Sequence, residues 1–232
     1  MDKQRIRERV WDALEAESIA RFPFPPHGRI PNFDGARDAA ERLAVTPEWQ
    51  EATTIKANPD SPQLPVRRQA LAAGKTVYIA VPRLRDERCF VRLDPATIDN
   101  TDRAAAISHM DEYGEQTGPD EIDSVDLIVS GSVAVTEEGA RIGKGEGYSD
   151  LEYAVLRELE LVDDETPVVT TVHERQVVDD AVEIEAHDVP MDCIVTPERV
   201  IRPTGGQKPA GIDWALLDEE RIAEIPVLKR FR

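Results

Sequence analysis

Near the N-terminus apolar positions recur every three to four residues. Further along they collapse into short continuous runs, so the chain passes from helical to strand periodicity. Ile6, Val10, Trp11 and Leu14 share one stripe of a helix predicted over residues 4–20, with Asp2 placed to cap it. Phe22 to Phe33 carries four prolines and cannot be regular. Helices are predicted over 35–44 and 47–51, the second opened by Thr46 as cap and Pro47 as first residue. Apolar runs then predict strands at Thr53–Lys56, Thr76–Val81, Cys89–Leu93, Val125–Val129, Ser132–Val135, Val168–Val172 and Cys193–Thr196. Between them lie predicted helices at 61–74, 102–109 and 150–161, with a last one near 214–223; residues 94–124 are otherwise polar and acidic. Strands separated by helices of this length predict an α/β fold built on a doubly wound, mostly parallel sheet with helices on both faces. No repeat or linker interrupts the pattern, so a single domain over 1–232 is expected, with 1–50 as a helical, proline-rich extension.

Composition narrows the classes. A chain of 232 residues buries roughly 70% of its unfolded surface and needs no disulfide or metal staple. Net charge is −18, and only six of the 28 cations are lysine. Such a surface argues against binding to nucleic acid or an anionic membrane, either of which wants a basic stripe. It suits a salt-adapted, halophilic protein whose excess carboxylates hold water and counterions. Cys89 and Cys193 form no metal or redox pattern and read as buried small hydrophobes. No apolar run approaches the roughly 18 residues of a membrane span, and the charged start lacks a signal core. The expectation is a soluble, cytoplasmic protein, a monomer or small homo-oligomer.

The stretch richest in chemistry runs from Gly139 to Asp150. Four glycines fall within nine residues, and Arg141 and Lys144 add positive charge to an acidic chain. Glycine lets successive N–H groups approach one anion. Ser149 and Glu152 fit a capping box, which would start a helix directly after the loop and bring its partial positive charge to the same place. Strand, glycine loop with two cations and helix make a phosphate site. A plain hairpin turn accounts for Glu138-Gly139 but not for Gly143, Gly145 and Gly147 alternating beside Arg and Lys. Neither the Walker A nor the Rossmann spacing fits.

The run closing in Gly143-Lys144-Gly145-Glu146-Gly147-Tyr148-Ser149-Asp150 resembles the G-x-R-L-G-x-G-x-G-Y-Y-D signature of the 5-formyltetrahydrofolate cyclo-ligase (methenyltetrahydrofolate synthetase) family. The likeness extends over about 50–232, including His187-Asp188-Val189-Pro190-Met191-Asp192 ahead of the last strand. The earlier part looks like a divergent, archaeal-type branch, which includes proteins named for a methenyltetrahydrofolate synthetase domain. The resemblance implies the α/β fold shared with sugar-phosphate isomerases and CoA transferases. It also implies ATP- and Mg²⁺-dependent closure of 5-formyltetrahydrofolate to 5,10-methenyltetrahydrofolate, with ADP and phosphate released: the formyl oxygen attacks the γ-phosphate, and N10 then displaces phosphate. Carried over by motif, Arg141, Gly143, Lys144, Gly145, Gly147, Tyr148 and Ser149 would hold ATP. The segment Lys144 to Tyr148, Glu146 included, would face the folate, with Lys144 and Tyr148 as catalytic candidates. Asp150 and Asp188 would take Mg²⁺, and their hard oxygens beside phosphates suit that ion. Two positions depart from the signature: Glu146 stands where the family has a basic residue, and Ser149 where it has a second Tyr. A binding protein that holds a folate or nucleotide without turnover is the alternative these departures support.

Lys3 and Arg7 lie within roughly 40° of each other on a helix, on the stripe of Val10 and Leu14. They point toward the body of the protein and match the spacing of a nucleotide-gripping Lys/Arg pair in the family; snorkelling at a helix end is the plain alternative. Lys56 and Asn58 follow a short strand, where open α/β sheets bind ligands, and are candidate substrate contacts, although the Asn58-Pro59 turn alone also explains them. His187 suggests acid–base work or a structural role. Phe22, Phe24 and Phe33 either stack on a pterin or pack over the core.

Overall fold

The computed structural model describes residues 2–232. Helix α1 spans Lys3–Ala16, with the Asp2 carboxylate accepting from the Gln4 amide as cap and Ile6, Val10, Trp11 and Leu14 buried. It stops short of the predicted end because the chain turns at Ser18, where φ is 56°. Helix α2 is Ala36–Leu43, and a short helix Pro47–Glu51 follows with Thr46 as its cap. Strand β1 (Thr54–Ala57) leads through helix α3 (Leu64–Ala72) to β2 (Thr76–Ala80), β3 (Phe90–Leu93) and β4 (Glu115–Thr117). Strand β5 (Leu127–Val129) precedes helix α4 (Tyr148–Glu158), and β6 (Val168–Thr171), β7 (Cys193–Val195) and β8 (Val200–Ile201) complete the sheet.

The eight strands are ordered β8-β7-β6-β5-β1-β2-β3-β4. The inner five, β7 to β2, run parallel, while β3, β4 and β8 join antiparallel at the edges. Alternate strand residues serve opposite faces. Val77, Ile79, Leu127, Val129, Cys193 and Val195 pack against α2 and α3. Tyr78, Ala80, Ile128, Val168 and Ile194 pack against Tyr153–Leu156 of α4. The mostly parallel, doubly wound sheet is therefore as expected, and both cysteines are buried and free. Among the described residues no helix is long and apolar enough to cross a membrane.

Three local expectations change. The acidic stretch 94–124 contributes β4, whose Glu115 and Gln116 are exposed, so pairing with β3 rather than apolar pattern makes it a strand. Ala134–Val135 stands outside the sheet and pairs antiparallel with Arg141–Ile142, giving a hairpin that turns at Gly139 with φ 96°. The Ser149/Glu152 capping box does not form. Gly147, left-handed at φ 69°, is the N-cap without a side-chain bond, and Glu152 instead pairs with the buried Lys56 ammonium. Helix α4 accordingly starts at Tyr148, two residues before the expected start.

The chain leaves β1 toward β2 on one side and, after β4, returns to β5 on the other. Ligands bind at such a reversal of strand order, beyond the carboxyl ends of the strands.

Candidate functional site

A cavity of about 530 Å³ opens there. Asn58 and Asp60 after β1, Pro82 and Arg83 after β2, and Gly131 after β5 form its floor. The glycine loop and the first turn of α4 form one wall, residues Gly143 to Asp150 lining it without a break. Helix α1 adjoins that wall with Lys3 and Arg7, and Glu185, His187 and Asp188 complete the rim.

The loop's glycines have separate reasons. Gly145 and Gly147 have φ of 104° and 69°, a region side chains with a Cβ enter at a cost. A Cβ at Gly143 would stand 3.0 Å from the Arg141 guanidinium. Because Gly147 caps α4 with no side chain, the first-turn amides of Tyr148, Ser149 and Asp150 have no intrahelical acceptor and carry the helix's partial positive charge to the cavity. Lys144 is half-exposed and pairs with Glu146 at 2.8 Å. The departure from the signature thus places a carboxylate on the loop's own ammonium. Arg83 stands 3.9 Å from the same Glu146.

Arg141 is more deeply committed. Its side chain is 5% exposed; Nη2 donates to Asp150 Oδ2 at 2.6 Å and Nη1 to the Gly131 carbonyl at 3.0 Å. It ties the loop to the turn after β5 while still lining the cavity. Ser149 Oγ lies 3.4 Å from Ser130 Oγ, a second link to the same turn.

Helix α1 reaches this wall because its apolar stripe packs on the hairpin, through Val133, Ala134 and Ile142. Arg7 Nε donates to the Gly143 carbonyl at 2.7 Å. Burial lowers the Arg7 guanidinium below its ordinary range, nearby Asp2 opposes that, and Arg141 adds to it. Lys3 Nζ donates to Asp188 Oδ2 at 2.7 Å and reaches Glu185 at 3.5 Å. The Glu185, His187 and Asp188 ligand atoms lie within 4.8 Å of one another. Asp150, on the neighbouring turn, accepts from the Val189 amide at 3.2 Å. Carboxylates from both segments therefore meet at one wall.

Beneath the floor, Lys56 is 1% exposed and pairs with Glu152. It does not line the cavity; Glu152 does. Arg67, equally buried, donates to the carbonyls of Asn58 at 2.6 Å and Asp60 at 3.1 Å, and burial pushes its pKa down to about 10. Its guanidinium shapes the turn that presents Asn58 and Asp60. Among the described residues the buried Asn58 Oδ1 has no hydrogen-bond partner. Burial raises the Asp60 carboxyl above the ordinary range, Glu152 adds to this, and Lys144 and Arg67 act against it.

Every candidate residue except Lys56 and the three loop phenylalanines lines this one cavity. Of the loop phenylalanines, Phe33 packs on Ala36 and Ala39, and Phe22 and Phe24 are exposed away from the cavity; Ile30 of the same loop lines it instead. Sequence reasoning missed Arg83, Glu185 and Arg221. Arg221 donates to Tyr148 Oη at 2.7 Å and to the Glu146 carbonyl at 2.9 Å. Its position about seventy residues along in an acidic segment gave no signal; proximity to Asp188 could have suggested Glu185.

The model of the 5-formyltetrahydrofolate cyclo-ligase family matches residues 1–197. Similar proteins are the methenyltetrahydrofolate synthase domain-containing proteins of Bos taurus, 45% identical, and Homo sapiens, 42% identical, each aligned over 100% of this chain. The chain spans 62% of the length of each of these two relatives. Among solved structures, the 5,10-methenyltetrahydrofolate synthetase of Aquifex aeolicus superposes with a TM-score of 0.54 at 20% identity, covering 89% of this chain and 95% of that one. That likeness carries the fold. The signature loop, the family match and the fold agree: the chain belongs to the 5-formyltetrahydrofolate cyclo-ligase family.

Proposed function

We propose that this chain is a single-domain ligase that converts 5-formyltetrahydrofolate and ATP to 5,10-methenyltetrahydrofolate, ADP and phosphate, with Mg²⁺ required. The observation that carries the reading is convergence: Lys3 and Arg7 from α1, Lys144 from the glycine loop and the uncapped start of α4 meet in one cavity at the reversal of strand order. A triphosphate needs such a concentration of donors, and fixed donors stabilise charge as it develops.

Lys144 gives up Glu146 for phosphate oxygens and stays beside the phosphoryl group as the formyl oxygen takes it. Arg7 and the first-turn amides of α4 bind the remaining phosphate oxygens. Arg141 orients the loop and keeps Asp150 in place. The Tyr148 phenol accepts from Arg221, so its own proton is free to donate into the cavity toward the folate. Asn58, with its buried unpartnered Oδ1, offers an acceptor for a substrate N–H; Lys56 acts from below by fixing Glu152. The rim offers carboxylate oxygens from Asp150, Asp188 and Glu185 beside the His187 ring, and the oxygens fit Mg²⁺: Asp150 and Asp188 would hold it, with Glu185 adjacent. When bound, the ion offsets phosphate charge. Partners on this reading are small molecules, a reduced folate and ATP, with no nucleic acid or membrane, and the protein works in the cytoplasm.

The test is direct: incubate the protein in high-salt buffer with 5-formyltetrahydrofolate and Mg·ATP, and follow methenyltetrahydrofolate by absorbance and phosphate release. Stoichiometric appearance of both, lost on omitting ATP, is expected. Tight Mg·ATP binding with no absorbance change would instead favour a folate- or nucleotide-binding protein.

A further inference from the structure

The glycine loop carries two residues in the left-handed backbone region, Gly145 and Gly147, and two arginines grip its backbone from opposite sides. Arg7 takes the Gly143 carbonyl from the cavity side. Arg221 takes the Glu146 carbonyl from behind and also engages Tyr148: the hydroxyl accepts from Nη1 at 2.7 Å, and the guanidinium carbon lies 4.1 Å from the ring centroid. One planar side chain therefore holds the loop backbone and the ring together, by hydrogen bonds and cation–π contact.

The mount behind Arg221 is firm. Its own amide donates to Asp218 Oδ1 at 2.7 Å, capping the short helix Glu219–Glu224. Ile222, Ile225, Val227 and Leu228 are buried in the same apolar cluster as Tyr153 and Leu156 of α4. A second cavity of about 400 Å³ lies between this segment and α4, walled by Leu151, Ala154, Leu216 and Leu217. Glu146 and Gly147 line both cavities, so the loop is the partition between them, and Arg221 pins it from the second. The segment carrying Arg221 lies beyond residues 1–197, the stretch that the family model matches.

We infer that Arg221 is a positioning residue for the reaction, acting through Tyr148 and the Glu146 carbonyl to hold the glycine loop in place and to turn the Tyr148 hydroxyl proton into the cavity. The phenol that accepts from Arg221 has its own proton left for a partner on the far side. Without the guanidinium the Tyr148 hydroxyl loses the donor that orients it, while the ring keeps its packing on the apolar cluster of α4, and the φ-positive glycines at 145 and 147 lose their restraint from behind. This inference rests on the proposed ligase reading for its kinetic consequence, and on the loop contacts alone for its structural one.

The experiment compares wild type, Arg221→Ala and Arg221→Lys. Amide hydrogen exchange of residues 143–148 is measured without ligands and should quicken by about tenfold in Arg221→Ala, with strands β1, β5 and β6 unchanged. With 5-formyltetrahydrofolate and Mg·ATP, kcat should fall by at least about tenfold while the KM for the folate moves less than about threefold. Arg221→Lys should not rescue, because a point ammonium cannot donate in two fixed directions while stacking. Combined with Tyr148→Phe, Arg221→Ala should cost much less than it does alone. Unchanged loop exchange, full rescue by Lys, or additive losses with Tyr148→Phe would overturn the inference. If wild type forms no methenyl product, the ligase reading fails. The same three proteins then still decide this one, through loop exchange and Mg·ATP titration, where about a tenfold affinity loss is expected in Arg221→Ala and unchanged values overturn it. Should Arg221→Ala not fold, Arg221→Lys carries both comparisons.

Discussion

Asp150 and Asp188 face one cavity but answer to different cations, and this separates their two roles. Asp150 is 14% exposed and compensates an Arg141 side chain that is 5% exposed. Asp188 pairs with Lys3, which is 27% exposed. Removing the carboxylate from a buried pair leaves an uncompensated charge, at about 3 kcal/mol; loosening a pair whose cation is partly exposed, as Lys3 is, costs less, about 1 kcal/mol. Asp150→Asn should therefore lower the melting temperature distinctly and Asp188→Asn only slightly, while both weaken Mg²⁺-dependent ATP binding in calorimetry. Intact Mg·ATP affinity in both folded variants would reduce these acids to surface charge. Lys144 gives the opposite profile. Its ion-pair partner among the described residues is Glu146, itself half-exposed, so Lys144→Ala should leave the melting temperature in place and raise the apparent KM for ATP about tenfold. Unaltered ATP kinetics in that variant would remove the phosphate-loop role.

Helix α4 begins where backbone freedom, not side-chain capping, allows it. Gly147 sits at φ 69° with nothing within 4 Å of a Cβ built on it, so Gly147→Ala suffers strain without a clash. About 1–2 kcal/mol is expected in denaturant unfolding; Gly147→Asn should recover part of it, because Asn tolerates the left-handed region. Equal stability of Gly147→Ala and wild type would show that the helix start relaxes. The same element marks how far the sequence was legible. The spacing of Gly143, Gly145 and Gly147 and the stripe carrying Lys3 and Arg7 are local patterns, and the structure brings both to one cavity. The Ser149/Glu152 pattern is equally local, but the buried Lys56 claims Glu152 from β1, 96 positions away. No local reading sees that competition, and for the same reason Lys56 reads as a ligand contact rather than a support. Strand β4 was illegible because its Glu115 and Gln116 face solvent at the sheet edge. Arg221 was illegible because its partners, Glu146 and Tyr148, lie more than seventy residues away.

Across the whole molecule, charge and site pull in different directions. A net charge of −18 leaves carboxylates that no surface cation can pair. At 1 M salt the screening length is about 3 Å and these groups ignore one another; at 0.1 M it is about 10 Å and they repel across the surface. Salt also weakens exposed ion pairs such as Arg37–Glu41, but such pairs contribute about 0–1 kcal/mol each, so relief of repulsion outweighs their loss. Melting temperature should therefore rise steeply with KCl toward the molar range. Mg·ATP also carries net negative charge and is opposed by the surface in dilute salt; of the cavity's cations Lys3, Arg7, Arg141 and Lys144, three already pair with carboxylates of the same cavity, so they do not reverse the sign there. Activity should accordingly follow stability upward with salt rather than fall through screening of those four cations. An acidic protein without salt adaptation would show little dependence. A melting temperature flat between about 0.1 and 2 M KCl, across which the screening length shortens severalfold, would remove the halophilic reading and leave the family membership untouched, because that rests on residues 1–197 and their glycine loop.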